Sequence, residues 1–134
     1  MINVKDVVTL RVPYPDTFSE LARKSHMYIC IEAFCLYCTL VKCQSFKPYH
    51  LATNSAPVCR IIEQPDIARN PFRHPTIIDL DKVFVATRSL FQDNLKTAQG
   101  VSDTLLSDIQ ANVDFNVARI ALTNAELQAV NYKL

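Results

Sequence analysis

Five cysteines, three histidines and a scatter of cations set the chemistry open to this chain. Cys30, Cys35, Cys38 and Cys43 form a C-x4-C-x2-C-x4-C run, and zinc requires four such soft donors to converge on a tetrahedron. The run lies in apolar, β-prone sequence (Ile29, Ile31, Phe34, Leu36, Tyr37, Leu40, Val41), where small thiols serve as core or sheet-face residues. Strand alternation also sends Cys35 and Cys38 to opposite faces. A zinc-stabilised binding domain is thus a lesser alternative to structural thiols, and an odd cysteine count in a reducing compartment calls for no disulfide. His26, His50 and His74 are scattered, with no Ser/His/Asp spacing of a hydrolase and no paired-histidine metal motif. Gly100 is the single glycine, which excludes Gly-rich phosphate loops and dinucleotide fingerprints. No metal and no cofactor are expected.

The elements that must position these groups are mostly strands. Lys5 to Val12 is β-branched and ends at Pro13-Tyr14-Pro15-Asp16, a turn signal. Asp16 to Ser25 reads as a polar loop, with at most one helical turn, carrying Glu20, Arg23 and Lys24. His26 to Ala33 and Cys35 to Cys43 read as a hairpin, and Gln44 to Tyr49 as a basic loop with Ser45, Lys47 and Pro48. Val58 to Glu63 is a short strand. Gln64 to Pro75 holds three prolines with Arg69, Arg73 and His74, and proline cannot donate to a ladder, so this is a loop or an edge. Thr76 to Ser89 reads as two strands or one bent strand. From Gly100 the period changes: Ser102 caps a helix whose Leu105, Leu106, Ile109 and Val113 share a face. A capping box, Thr123 to Glu126, opens a second helix carrying Leu127 and Val130. Phe115 to Leu122 fits either strand or helix.

At 134 residues the chain has room for one core, so residues 1–134 are expected to form a single domain, with a β body over 1–91 and a helical segment over 101–134. Hydrophobic residues at 49% against 20% charged supply a core without the charge repulsion of a disordered chain. The longest apolar stretch, Met27 to Val41, is interrupted by Glu32, so no membrane span is expected; Asp6 following Lys5 argues against a signal peptide, and the cytoplasm is the expected address. Residues 1–74 carry nine Lys/Arg against six Asp/Glu, and 75–134 five against seven, so a mildly basic front permits an RNA partner.

The order of these segments resembles the MazF/PemK family of toxins. The residues that carry the likeness are Asp6-Val7-Val8 in the first strand, Val12-Pro13-Tyr14, the Arg23-Lys24 loop, a strand ending in Gln44-Ser45-Phe46-Lys47, Leu80-Asp81-Lys82-Val83, and the helix from Val101-Ser102 to Val113. The likeness covers about residues 4–114. It implies a β-rich α+β fold, a small SH3-like barrel of about five to seven mostly antiparallel strands with one or two C-terminal helices. It further implies a homodimeric toxin of a type II toxin–antitoxin pair that cleaves single-stranded RNA without metal and is neutralised by a cognate antitoxin protein.

Such cleavage must orient the ribose 2′-hydroxyl, stabilise charge on the phosphorane and protonate the leaving oxygen. Carried over by position, the resemblance gives Arg23 or Lys24 as the loop cation, Ser45 as the hydroxyl and Asp81 as the acid. RNA contacts are expected from Lys42, Lys47 and His50 and from Arg69, Arg73 and His74 of the proline-rich loop, the last three being an alternative source of the general cation. Ser25-His26 stands where the family has proline after the cation, Gln44-Ser45 where it has Thr-Ser, and Asp79 where it has a basic residue. Acids at 79 and 81 on adjacent faces repel a phosphate, and the alternative expectation is a non-catalytic barrel module that binds or poisons a protein target.

Overall fold

The computed structural model describes residues 1–134 and is an α+β fold built on one six-stranded, mostly antiparallel sheet. The strands are β1 (Val7–Leu10), β2 (His26–Ala33), β3 (Tyr37–Ser45), β4 (Arg60–Glu63), β5 (Thr76–Thr87) and β6 (Ala118–Ala121). Their order is β1-β2-β3-β5-β4, with β6 also on β5. The helices are α1 (Glu20–Arg23), α2 (Tyr49–Ala52), α3 (Asp103–Asn112) and α4 (Asn124–Val130). The strand count and the two C-terminal helices agree with the β-rich α+β class expected from sequence, and no helix is long and apolar enough to cross a membrane.

Two apolar faces explain why the strands read as near-continuous hydrophobic runs rather than a clean alternation. Tyr28, Cys30, Cys38, Leu40, Phe84 and Ala86 point to one face, where Ile2, Phe91, Leu122 and Leu127 cover them. Ile29, Ile31, Val41, Cys43, Ile78 and Leu80 point to the other, under Phe72 and Val101 and under the α3 residues Leu105 and Ile109. Both faces are therefore buried cores, and the cysteines divide between them.

β5 is one bent strand. It pairs with β3 along its length, while its other edge takes β4 at residues 76–79 and β6 at 82–85, with a register shift opposite Leu40 to Lys42. β6 resolves the ambiguous 115–122 segment as a strand, parallel to β5, so the 101–134 stretch is not wholly helical. Sequence-level caps fall where expected. Ser102 accepts from the Leu105 amide and Thr123 from the Glu126 amide, each satisfying an orphan donor of a first turn.

β1 is shorter than the Lys5 to Val12 expectation, because its outer edge is taken over by groups other than a strand. The Thr97 amide donates to the Val7 carbonyl at 2.8 Å. The Asn131 side chain clasps Arg11, its Oδ1 accepting the Arg11 amide at 2.8 Å and its Nδ2 donating to the Arg11 carbonyl at 2.7 Å. The tail after α4 is thereby fixed beside β1. Gly100 permits the neighbouring crossing, since a Cβ there would collide with the Lys5 carbonyl oxygen, which accepts the Val101 amide at 2.9 Å.

Candidate functional site

At the end of the sheet where β1, β2 and β3 meet, three cavities of about 450, 230 and 490 Å³ run into one another, all touching Thr9. The first is framed by Arg11 and Lys96 and by the tail residues Asn131 and Lys133. His26, Ser45 and Thr76 line the second, and Ser45, Thr76, Arg73 and His74 the third. Arg11, Lys96, Lys133, Arg73, His26 and His74 all face this groove, and not one lining residue is Asp or Glu. The remainder of the lining is rich in hydroxyls and amides: Thr9, Ser25, Ser45, Thr97, Asn94, Asn131 and Gln99. Low-dielectric walls with cations and no acid focus a positive potential into the groove.

Not every cation there is free. Lys96 is held by Asp6 at 3.0 Å and Asp93 at 3.1 Å and is largely neutralised. Arg73 and Lys133 make no ion pair or side-chain hydrogen bond, and the guanidinium of Arg11 is likewise unpaired, only its main chain being held by Asn131. The Ser45 hydroxyl has no intramolecular partner, whereas Thr76 donates its own to the His74 carbonyl at 2.8 Å, tying the His74 backbone to the start of β5.

His26 opens β2 and is half-buried. Its Nδ1 lies 3.1 Å from the Lys24 carbonyl, an obligate acceptor, so Nδ1 carries the proton and Nε2 keeps its lone pair. Burial, opposed by that same hydrogen bond, lowers its pKa below the usual histidine value. At neutral pH the ring is an uncharged base.

The ten residues singled out from sequence do not share one site. Ser45, Arg73 and His74 come together in the groove; Arg23 and Lys24 close α1 immediately before Ser25, at its rim, Lys24 reaching Glu20 at 3.9 Å. Asp81 lies elsewhere. Ser45 pairs with Thr76 at the start of β5, while Asp81 sits at the bend, between the residues that pair with β4 and those that pair with β6, and accepts the Val58 and Cys59 amides at 3.0 and 2.7 Å. A carboxylate holding two N–H groups anchors the strand entering the sheet rather than acting in the groove. Nor do Asp79 and Asp81 jointly repel a phosphate, since Asp79 is buried between two lysines.

Lys42 faces that buried acid. Its Nζ is 3.5 Å from Asp79 Oδ2, with Lys82 Nζ 3.2 Å from the same oxygen, and Oδ1 accepts the Asp81 amide at 2.9 Å. Burial lowers the Lys42 pKa and outweighs the opposing pull of Asp79. Lys42 is therefore an interior ion-pair residue, not a surface contact. Arg69 is also engaged: its Nε donates to both Glu63 oxygens at 2.9 and 3.0 Å and its Nη2 to Asp108 at 2.7 Å, bonds that raise its pKa, the Asp108 bond most. It ties the proline-rich loop to α3. Lys47 and His50 turn away with α2, the Lys47 amide donating to His50 Nδ1 at 2.9 Å.

The cysteine run scatters as well. Cys30 and Cys38 are buried in one core, Cys43 in the other, and Cys35 is exposed in the β2–β3 turn; no three metal-binding side chains cluster anywhere in the chain. Burial in the core pushes the Cys43 thiol up, as expected of an inert structural residue. Sequence reasoning missed Arg11, His26, Gln99 and Lys133, which reach the groove from four separate segments with no local motif to link them. No family model, curated protein or solved structure matches this chain.

Proposed function

We propose that this protein binds single-stranded RNA in the groove and cleaves it without metal, as a toxin of a toxin–antitoxin pair. The observation that carries the reading is the acid-free lining of three confluent cavities, which holds the unpaired cations Arg11, Arg73 and Lys133 together with His26 and His74. Phosphate contacts dominate nucleic-acid affinity, and hydroxyl and amide groups along such a groove suit the 2′-hydroxyls and base edges of an unpaired strand.

The chemistry follows from the same residues. His26 Nε2 takes the proton from a ribose 2′-hydroxyl, and the oxygen attacks the adjacent phosphorus. Arg73 stabilises the phosphorane charge, with the Ser45 hydroxyl donating to a phosphate oxygen. His74 hands a proton to the departing 5′-oxygen. The phosphorus–oxygen bond to the 5′ side breaks, leaving a 2′,3′-cyclic phosphate and a 5′-hydroxyl. Arg23 and Lys24 at the rim guide the strand in. A cognate antitoxin, on this reading, occludes the groove, and the toxin works as a homodimer.

The test is incubation of purified protein with a defined single-stranded RNA in EDTA. Cleavage to cyclic-phosphate ends is expected, about a hundredfold slower in His26→Ala and absent in an RNA with a 2′-deoxy sugar at the cut. Intact RNA from folded protein overturns the reading. The exposed turn Phe34-Cys35-Leu36-Tyr37 favours the second reading, a module that binds a protein target; it predicts growth arrest with RNA untouched.

A further inference from the structure

β4 ends the sheet, and its outer edge is open. The Leu80 amide donates to the Cys59 carbonyl at 3.0 Å, so Cys59, Ile61 and Glu63 turn their main-chain groups toward β5. Antiparallel alternation then points the N–H and C=O of Arg60 and Ile62 outward. No side chain or backbone group takes up these four positions. Val58, 91% exposed, and Ile62, 38% exposed, stand along the same edge. Beside it lies a cavity of about 500 Å³ lined by His50, Leu51, Ala56, Val58 and Arg60. This edge has both hydrogen-bonding capacity and a place for side chains.

Its charge selects the partner. Arg60, His50 and the nearby Lys47 are exposed or half-exposed there, Arg60 holding only the Pro57 carbonyl at 2.8 Å. The carboxylates nearest the edge are engaged elsewhere: Asp81 by the Val58 and Cys59 amides, Glu63 by Arg69 and Asn70, Asp79 by Lys42 and Lys82. We propose that β4 accepts an extended peptide as an added strand, one that alternates acidic side chains on the face of Val58, Arg60 and Ile62, where the cavity lies, with apolar ones on the opposite face beside Cys59 and Ile61. A second copy of this chain is a poor occupant, because two-fold pairing through β4 makes the two Arg60 side chains diagonal neighbours on one face, where like charges repel. The β6 edge offers less: Arg119 is held by Glu32 at 3.6 Å, and no β6 residue lines the groove or the cavity beside β4.

The probe is an acetylated ten-residue peptide of alternating Glu and Val, compared with its Lys–Val counterpart, added to the full chain. Amide hydrogen exchange is read residue by residue. The Glu–Val peptide is expected to slow exchange at Arg60 and Ile62 at least tenfold and the Lys–Val peptide to leave it unchanged. Ile62→Pro removes an outward N–H and no ladder bond, so it is expected to weaken binding tenfold or more with the fold retained. Arg60→Glu, which leaves the backbone intact, tests the charge separately and is expected to do the same. Arg73→Ala in the groove leaves peptide binding unchanged, which separates this surface from the RNA reading. Equal binding by both peptides, protection confined to β6 or the groove, or slowed exchange at Arg60 and Ile62 on raising protein concentration alone overturns the proposal.

Discussion

The groove at the β1–β3 end and the ionic seam around β4, β5 and α3 draw on the same residue types and put them to opposite ends. In the seam, Lys42 and Lys82 converge on Asp79, and Arg69 bridges Glu63 and Asp108; every cation has a carboxylate within 4 Å. In the groove, Arg11, Arg73 and Lys133 have none. A cation paired in the interior supplies registration at a desolvation cost, while an unpaired one at a concave surface keeps its field for a ligand. Basic residues in a sequence are therefore not interchangeable as evidence of nucleic-acid binding, and the nearest carboxylate decides.

Breaking the seam at its centre gives the largest expected effect. Asp79→Ala strands two lysines in a poorly solvated site and is expected to destabilise the fold by about 3 to 5 kcal/mol in denaturant unfolding. RNA affinity per folded molecule stays the same. A variant as stable as the parent would show that the seam carries no structural weight.

His26→Ala sharpens the groove side. Loss of a general base is expected to slow cleavage by about a hundredfold with folding retained. The pH profile checks the assignment. Because the folded-state pKa of His26 lies below the ordinary 6.5, the ring stays neutral as pH falls through that value. The acidic limb of cleavage therefore sets in below pH 6.5 and disappears in the variant. The same shift gives a stability effect of fixed sign. Below 6.5 the unfolded chain binds a proton that the folded chain resists, so stability falls with falling pH in the parent more than in His26→Ala.

Arg69→Met removes the clamp on Glu63 and Asp108 and is expected to cost about 2 kcal/mol, the scale of hydrogen bonds to charged partners. Asn70 Nδ2, which donates to Glu63 at 2.9 Å, limits the loss. RNA affinity should not move, and a tenfold drop would place Arg69 in the interface after all. The smallest effect is electrostatic. Arg73→Ala and Lys133→Ala are each expected to reduce the slope of log affinity against log salt by about 0.7, one single-strand phosphate contact apiece, whereas Lys42→Met leaves it unchanged. Filter-binding titrations over a salt series read both.

The elements were legible where local rules dominate. His26 to Ala33 begins and ends as a strand where its β-prone run does, and Ser102 and Thr123 cap their helices because a short hydroxyl side chain meets a free amide in the first turn. Boundaries moved where tertiary groups intervened: Asp81 took the Val58 and Cys59 amides, and Asn131 closed β1 at Arg11. The parallel strand 118–121 was ambiguous because its four residues carry no period long enough to separate strand from helix.

The candidate site was less legible than the fold. Ser45, Arg73 and His74 were found as polar residues in loops or at strand ends, but what joins them to Arg11, His26 and Lys133 is the meeting of β1, β2, the proline-rich loop and the C-terminal tail at one end of the sheet. The sequence by itself determined the class of fold, the positions of most strands and helices, and the inventory of cations, hydroxyls and thiols. Only the tertiary structure decided which of those cations are neutralised, which thiols are core, and which histidine is held as a neutral base. The reason is range: strand period and capping act over a few residues, whereas ion pairing and desolvation depend on groups brought together from distant segments, as Lys42 is to Asp79 and Arg69 to Asp108.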